Sequence, residues 1–94
     1  MKVKLKLYGD LKAKANKNEI EFNMLEGAKV KDLLFIISKE FNEEFKEALL
    51  DSSGKLKPTI IMLVNGRNID FINKLETQLT DGDVVSLVPA VFGG

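Results

Sequence analysis

The last residues of this chain are the part best suited to take part in a reaction. The sequence ends with Val91, Phe92, Gly93 and Gly94, shortly after an apolar run that stops at Pro89. Glycine has no Cβ and reaches backbone conformations that other residues avoid, so a Gly-Gly end can enter a narrow channel with nothing bulky beside its carboxylate. The carboxylate of Gly94 is therefore the candidate reactive group. The alternative is a frayed terminus, because chain ends are commonly disordered and carry no function.

The composition removes most other reactive groups. The 94 residues contain no Cys and no His, which excludes disulfides, thiol nucleophiles, imidazole bases and the usual zinc ligands. No spacing of the carboxylates indicates an acidic active site. We therefore expect the chain to be a substrate or carrier and not an enzyme on its own, with no metal and no bound cofactor.

Charge and hydropathy narrow the class of protein further. Basic and acidic residues number 14 each, whereas nucleic-acid binding normally leaves a basic surplus. The longest uninterrupted apolar stretches, such as residues 60–64, have five residues, far fewer than the roughly 20 that span a bilayer. The first residues alternate charged with apolar side chains, which is not typical of a secretion signal. We expect one cytoplasmic domain that binds neither nucleic acid nor membrane.

Apolar periodicity predicts an α+β fold. Alternating or continuous apolar runs predict strands over residues 2–7, 19–23, 60–64 and 84–88, with a short return strand at 67–69. Val30, Leu33, Leu34, Ile37 and Phe41 follow the spacing of one helical face. The start of this helix is poorly marked, because residues 28 and 29 are weak caps. The pattern predicts a four- to five-stranded mixed sheet with one main helix on one face.

Four segments carry a resemblance to a known family, and they occur in the family's order. They are Leu25–Leu34, Val64–Gly66, Leu79–Val85 (an L-x-D-G-D-x-V pattern) and Val88–Gly94 (P-x-V-x-G-G). Together with the order of elements they resemble the ubiquitin-like β-grasp fold, and more closely the small sulfur carriers MoaD, the molybdopterin synthase small subunit, and ThiS, its thiamine-pathway relative. The resemblance implies a β-grasp domain over residues 1–89 and a flexible C-terminal tail over residues 90–94. Phe92 departs from the family, which usually has a small residue there.

The resemblance also implies a reaction for the tail. An adenylating enzyme of the ubiquitin-activating type uses ATP to join AMP to Gly94, and a persulfide sulfur donor then converts this group to a thiocarboxylate. In molybdopterin synthesis the large synthase subunit transfers that sulfur to the cofactor precursor. The tail residues Ala90, Val91, Phe92 and Gly93 would present Gly94, reaching about 17 Å when extended.

Docking of such partners requires a surface, and strand alternation predicts one. If Val85 and Leu87 face the helix, Val88 faces the open side of the sheet. By the same alternation either Ile61 and Leu63 or the set Ile60, Met62 and Val64 also faces outward. We favour Ile61 and Leu63, which would form with Val88 an exposed apolar patch, a feature that usually marks an interaction site, with Arg67 and Phe71 at its border. The alternative is that the 51–58 or the 70–79 connection covers the patch.

Two other functions remain open. A ubiquitin-like modifier would use the same activation and join Gly94 to lysines of other proteins, and the bulky Phe92 slightly favours it. A β-grasp binding module with an inert tail would need no activation at all.

Overall fold

The computed structural model describes residues 1–90, so the predictions for Val91, Phe92, Gly93 and Gly94 lie outside the described part. The strands are β1 (Lys2–Leu7), β2 (Glu19–Asn23), β3 (Ile60–Val64), β4 (Arg67–Asn68) and β5 (Val84–Pro89). The helices are α1 (Gly9–Ala15), α2 (Val30–Glu40) and α3 (Glu43–Leu49), and two short 3-10 helices span Ile69–Phe71 and Lys74–Glu76.

The five strands form one mixed sheet in the order β2-β1-β5-β3-β4. The central pair, β1 and β5, is parallel, whereas the other neighbours are antiparallel. A parallel pair requires a crossover connection, and the helical segments between β1 and β5 belong to it. The predicted α+β fold with a five-stranded mixed sheet is confirmed.

The core lies between the sheet and the helices. It combines the inward side chains of β1, β3 and β5 with the apolar face of α2 and with Phe45 and Leu49 of α3. Val3, Leu5, Val85 and Leu87 are fully buried, as their alternation predicts. Each large apolar side chain buried in this way stabilises the fold by about 1.5–3 kcal/mol, so this core holds the helices against one face of the sheet.

The start of α2 is capped by residues that the sequence prediction did not consider. Lys29 offers no capping side chain, but the carboxylate of Asp32 accepts the Lys29 backbone N–H at 2.8 Å. The N–H of Val30 donates to the carbonyl of Thr77 at 2.9 Å. Unpaired N–H groups of a first helical turn need such acceptors. The segment around Thr77 therefore fixes the beginning of α2.

Two predicted turns are joined by one side chain, that of Asn65. Asn65 and Gly66 have φ angles of 51° and 85°, as a type I′ hairpin turn requires. The Asn65 amide group donates to Asp83 at 2.9 Å, and its oxygen accepts the N–H of Val84 at 2.9 Å. Asp83 is buried and also accepts the N–H of Thr80 at 2.8 Å. These contacts fix the end of β3 against the start of β5.

We expect Asn65→Ala to lower the free energy of unfolding by about 2–4 kcal/mol. About 1 kcal/mol comes from placing alanine in a left-handed conformation, and the rest from two lost hydrogen bonds beside a buried carboxylate. Urea denaturation with an unchanged m value measures this loss. Asn16→Ala is the control, because Asn16 has a φ of 56° but makes no side-chain hydrogen bond within residues 1–90. Equal losses in both variants would contradict the proposed role of Asn65.

Candidate functional site

The face of the sheet that points away from the helices carries an apolar half. On β3, Ile60, Met62 and Val64 are buried, so Ile61 and Leu63 point to the other face. Ile61 is paired with Val88 across the ladder, and paired residues lie on the same side of a sheet. The members of this apolar half are half-buried and lie on two adjacent strands. They are Ile61, Leu63, Val84 and Val88, with Ser86 among them.

Neither of the two connections considered in the sequence analysis covers this surface. Residues 51–58 are tied to the end of α3, since Lys57 N–H donates to the Leu49 carbonyl at 3.0 Å. Residues 70–79 lie against α2, where Glu76 forms ion pairs with Lys29 at 3.2 Å and Lys31 at 3.0 Å. Both connections therefore belong to the helical side of the sheet. In the described range the apolar half stays open.

The other half of the open face is charged. The lysines of β1 and the glutamates of β2 point outward at alternate positions. The ammonium of Lys4 lies 2.8 Å from a carboxylate oxygen of Glu19, and the ammonium of Lys2 lies 3.8 Å from a carboxylate oxygen of Glu21. The hydrogen bond from Lys4 lowers the pKa of Glu19 below its usual range, and the same bond raises the pKa of Lys4. The open face thus divides into an apolar half on β3 and β5 and a charged half on β1 and β2.

We expect Lys4→Met to return the pKa of Glu19 upward toward its ordinary value. Because the folded-state pKa is depressed, the pair stabilises the fold above the unfolded-state pKa, and this stabilisation is lost as the pH falls through the folded-state pKa. The effect on stability is small, since both groups are exposed. A carboxyl-carbon NMR titration measures the pKa shift. Lys12→Met, a substitution on α1, is the control and should leave the pKa of Glu19 unchanged. If Lys4→Met also left it unchanged, the hydrogen bond from Lys4 would not be the cause of the lowered pKa.

Arg67 and Phe71 are brought together, but the register separates Arg67 from the apolar half. Arg67 pairs with the buried Val64, so its side chain leaves the sheet on the helical side. Its guanidinium donates to the carbonyl of Phe71 at 3.5 Å. The sequence placed Arg67 at the border of the patch because it did not reveal which partner Arg67 opposes. Phe71 is 79% exposed in the first 3-10 helix, and its role in binding stays a prediction.

The base of the tail is held by the sheet. Pro89 pairs with Ile60, and the N–H of Ala90, a residue that the sequence assigned to the tail, donates to the carbonyl of Thr59 at 2.7 Å. Gly9 contributes a contact that the sequence analysis missed. It has a φ of 57°, and a Cβ at this position would lie 3.2 Å from Pro89 Cγ. A glycine therefore leaves room for the end of β5.

The described part of the chain has neither a cluster of metal ligands nor a membrane-spanning helix. Among residues 1–90 there is no group of three or more acidic side chains that could hold a metal ion. No helix in the same range is long and apolar enough to cross a membrane.

Solved structures place this architecture in a known class. Small archaeal modifier protein 1 from Methanosarcina acetivorans matches with a TM-score of 0.84 and 31% identity, covering 99% of this chain and 96% of that one. A putative molybdopterin converting factor subunit 1 from Pyrococcus furiosus matches at 0.75 and 34%, covering 97% and 99%. A chain of the BexX/CysO complex from Amycolatopsis orientalis matches at 0.75 and 25%, covering 98% and 99%. The protein is a ubiquitin-like β-grasp domain.

Sequence relatives define the family within this class. The chain belongs to the ThiS family, whose model matches residues 5–94. A putative sulfur carrier protein from Archaeoglobus fulgidus is 37% identical over 84 residues, 89% of this chain and 93% of the relative. Small archaeal modifier protein 3 from Haloferax volcanii is 29% identical over the whole of both chains. The chain is therefore a member of a family of small sulfur carriers and ubiquitin-like modifiers, as the resemblance implied.

Proposed function

We propose that this protein is a sulfur carrier whose Gly94 carboxylate is adenylated and then converted to a thiocarboxylate. The observation that carries the proposal is the course of β5. This strand bears Val84 and Val88 of the open apolar half and leads through Ala90 directly into the Gly-Gly tail. A partner docked on the apolar half thus lies beside the start of the tail. The family match, which extends to Gly94, supports the same function.

The chemistry needs nothing from the carrier except its carboxylate. A carboxylate oxygen attacks the α-phosphorus of ATP in the partner adenylating enzyme, pyrophosphate leaves, and an acyl adenylate remains. The terminal sulfur of a persulfide donor then attacks the carbonyl carbon and AMP leaves. Reduction of the resulting acyl disulfide by a thiol yields the thiocarboxylate. The carrier therefore binds no cofactor, and both ATP and the catalytic groups belong to its partners.

The division between body and arm follows from the ladder. Hydrogen bonding reaches Ala90, the last residue that the structure describes, and we assign residues 91–94 to the arm that enters the partner. Fully extended, residues 91–94 span about 13–14 Å. This length allows the body to stay docked outside while Gly94 enters a buried site. The rigid sheet sets the position from which the arm starts, which limits the volume that the carboxylate must search.

For the sulfur acceptor we propose the pterin precursor of the molybdenum or tungsten cofactor. In this reaction the chain would be the small subunit of molybdopterin synthase, and the large subunit would provide the active site. The likeness to the Pyrococcus furiosus protein, named for a molybdopterin converting factor, supports this acceptor.

The second candidate function is that of a protein modifier, in which Gly94 forms an isopeptide bond with lysines. It is favoured by the full-length match to small archaeal modifier protein 3 and by Phe92, which a channel shaped for a small residue would resist. Activation is the same in both functions, so the acceptor decides between them.

Mass spectrometry separates these functions. The intact protein is incubated with the adenylating enzyme, ATP and a sulfur donor, and replacement of one oxygen of Gly94 by sulfur is expected. Tight 1:1 binding to the large synthase subunit would support the cofactor role, whereas Gly-Gly remnants on target lysines would support the modifier. If a variant lacking Gly93 and Gly94 retained every partner and phenotype, the tail would be inert and both functions would be wrong.

A further inference from the structure

A second apolar surface lies on the helical side of the molecule, away from the open face. It is formed by Leu25 before α2, Phe35 on α2 and Leu75 in the second 3-10 helix. These side chains are 86%, 63% and 40% exposed. We call this set the helix-side ridge. One groove joins Leu25 to Phe35 and a second joins Phe35 to Leu75, so the three side chains are neighbours across α2.

The fold does not need these apolar side chains. Leu25 lies in a turn that uses its backbone, since its carbonyl accepts the Ala28 N–H at 3.1 Å. Phe35 points outward from α2, and the ammonium of Lys39 lies 4.9 Å from its ring centroid. Polar residues would serve both positions and would improve solubility. Large exposed apolar side chains that lie together usually mark an interaction surface.

The charges beside the ridge are separated by sign. The groove between Leu25 and Phe35, about 460 Å³ in volume, is lined by the carboxylates of Glu26 and Asp32 and by no basic side chain. The groove between Phe35 and Leu75, about 260 Å³, is lined by Lys31 and Lys55 and by no acidic side chain. The ridge thus has an acidic groove on one side of Phe35 and a basic groove on the other.

We propose that the helix-side ridge is the interface of a homodimer, with a two-fold axis close to Phe35. A two-fold interface uses the same patch on both copies, so the patch must complement itself after rotation by half a turn. This ridge does so in its grooves: the rotation places the acidic groove of one copy against the basic groove of the other. It also brings Phe35 close to the axis in both copies, with the Lys39 ammonium 4.9 Å from its ring centroid. A partner other than a second copy would need an apolar centre of its own, with basic groups facing the acidic groove and acidic groups facing the basic groove.

Glu76 does not cancel the basic groove. Its carboxylate pairs with both Lys29 and Lys31, so these three groups together keep one positive charge. Lys55 on the opposite wall adds a second. On the other side of Phe35, the Asp32 carboxylate accepts a backbone N–H and keeps its negative charge. The two grooves therefore remain opposite in sign after internal pairing.

The dimer would leave the sulfur-carrying parts of the molecule free. The ridge lies on the helical side of the sheet, whereas the apolar half of the open face lies on the other side. Each copy could therefore bind an activating partner while the dimer persists. The inference does not depend on the proposed function, and the measurements that test it use the protein alone.

Sedimentation equilibrium of the full chain tests the proposal. We expect a monomer–dimer equilibrium in the wild type. In Phe35→Ser the dissociation constant of the dimer should rise about 30-fold or more, because a residue at the centre of the interface is lost. Tyr8→Ser is the control, because Tyr8 is also an exposed aromatic residue, 44% accessible, but lines neither groove. A wild type that stays monomeric up to about 1 mM, or a Phe35→Ser variant that associates as the wild type does, would overturn the proposal.

Charge reversal gives a second test that does not rely on one variant. Glu26→Lys and Lys55→Glu should each weaken self-association, because like charges then meet in the paired grooves. An equal mixture of the two variants should form a heterodimer, since each altered groove faces its complement. A mixture that associates no better than either variant alone, with both variants folded by circular dichroism, contradicts the two-fold arrangement.

Discussion

Removal of Gly94 is expected to lower the rate of thiocarboxylate formation at least about 100-fold. The deletion shortens the arm by about 3.5 Å, and a displacement of a reacting group by only about 1 Å can cost a factor of 100. The new terminus would be Gly93, which has the same chemistry, so the loss would come from position alone. The rate is measured by mass spectrometry of the intact protein in the reaction with the adenylating enzyme, ATP and a sulfur donor.

The fold provides the control for this deletion. The described ladder ends at Ala90, so the thermal midpoint should stay the same when Gly94 is removed. Val91→Ala keeps the length of the arm and should retain most of the rate. An unaltered rate in the shortened protein would mean that the partner does not measure the length of the arm. A lowered thermal midpoint would instead assign residue 94 a role in the fold.

Replacing Leu63 by Asp is expected to weaken binding of the adenylating enzyme about 30-fold or more. Leu63 lies in the apolar half, opposite Ser86 of β5. A carboxylate there would have to be desolvated when the partner docks, and loss of a hot-spot side chain at the centre of an interface costs about 2 kcal/mol or more. Isothermal titration calorimetry at constant salt measures the dissociation constant. Ile61→Thr, which retains good strand propensity, should weaken binding in the same direction.

The helix-side ridge provides the matched control for this substitution. Leu25→Asp makes the same chemical change at an exposed leucine on the other side of the sheet, and it should leave binding of the adenylating enzyme nearly unchanged. Leu63→Asp in turn should leave self-association unchanged. If Leu25→Asp weakened enzyme binding as strongly as Leu63→Asp does, the docking surface would not be the apolar half of the open face.

Local patterns were sufficient to predict most of the fold. The alternation of residues 2–7, the continuous apolar run of residues 60–64, the helical spacing of α2, and the turn signal of Asn65 and Gly66 all depend on residues close in sequence. Alternation reduced the outward side chains of β3 to two possible sets, and the favoured set, Ile61 and Leu63, is the one that points away from the core. Contacts between distant segments were not predictable: the carbonyl of Thr77 accepts the N–H of Val30 at the start of α2, and Asn65 joins two turns that are far apart along the chain.

The candidate site was predictable to the extent that it follows a pattern within one strand. The sequence placed Ile61, Leu63 and Val88 on one surface, and the structure does the same. Arg67 was wrongly placed at the border of that surface. The face of the sheet on which its side chain lies depends on its pairing with Val64, and β4 is only two residues long. The ridge formed by Leu25, Phe35 and Leu75 was not predicted at all, since its members come from three separate segments.

The step that separates the two proposed functions is the attack on the activated carboxyl group of Gly94. A carrier and a modifier share the domain, the tail and the activation step. They differ in what attacks the activated carbonyl of Gly94, namely a sulfur donor or a lysine amine. That choice is made by the partner enzymes and not by this chain.

The most direct test of the central claim is to extend the chain by one alanine after Gly94 and to compare both proteins by intact mass spectrometry. We predict that the chain ending at Gly94 exchanges one oxygen for sulfur in the presence of the adenylating enzyme, ATP and a sulfur donor, while the extended chain remains unmodified. Equal modification of the extended chain, with its added alanine still present in the mass spectrum, would contradict the account.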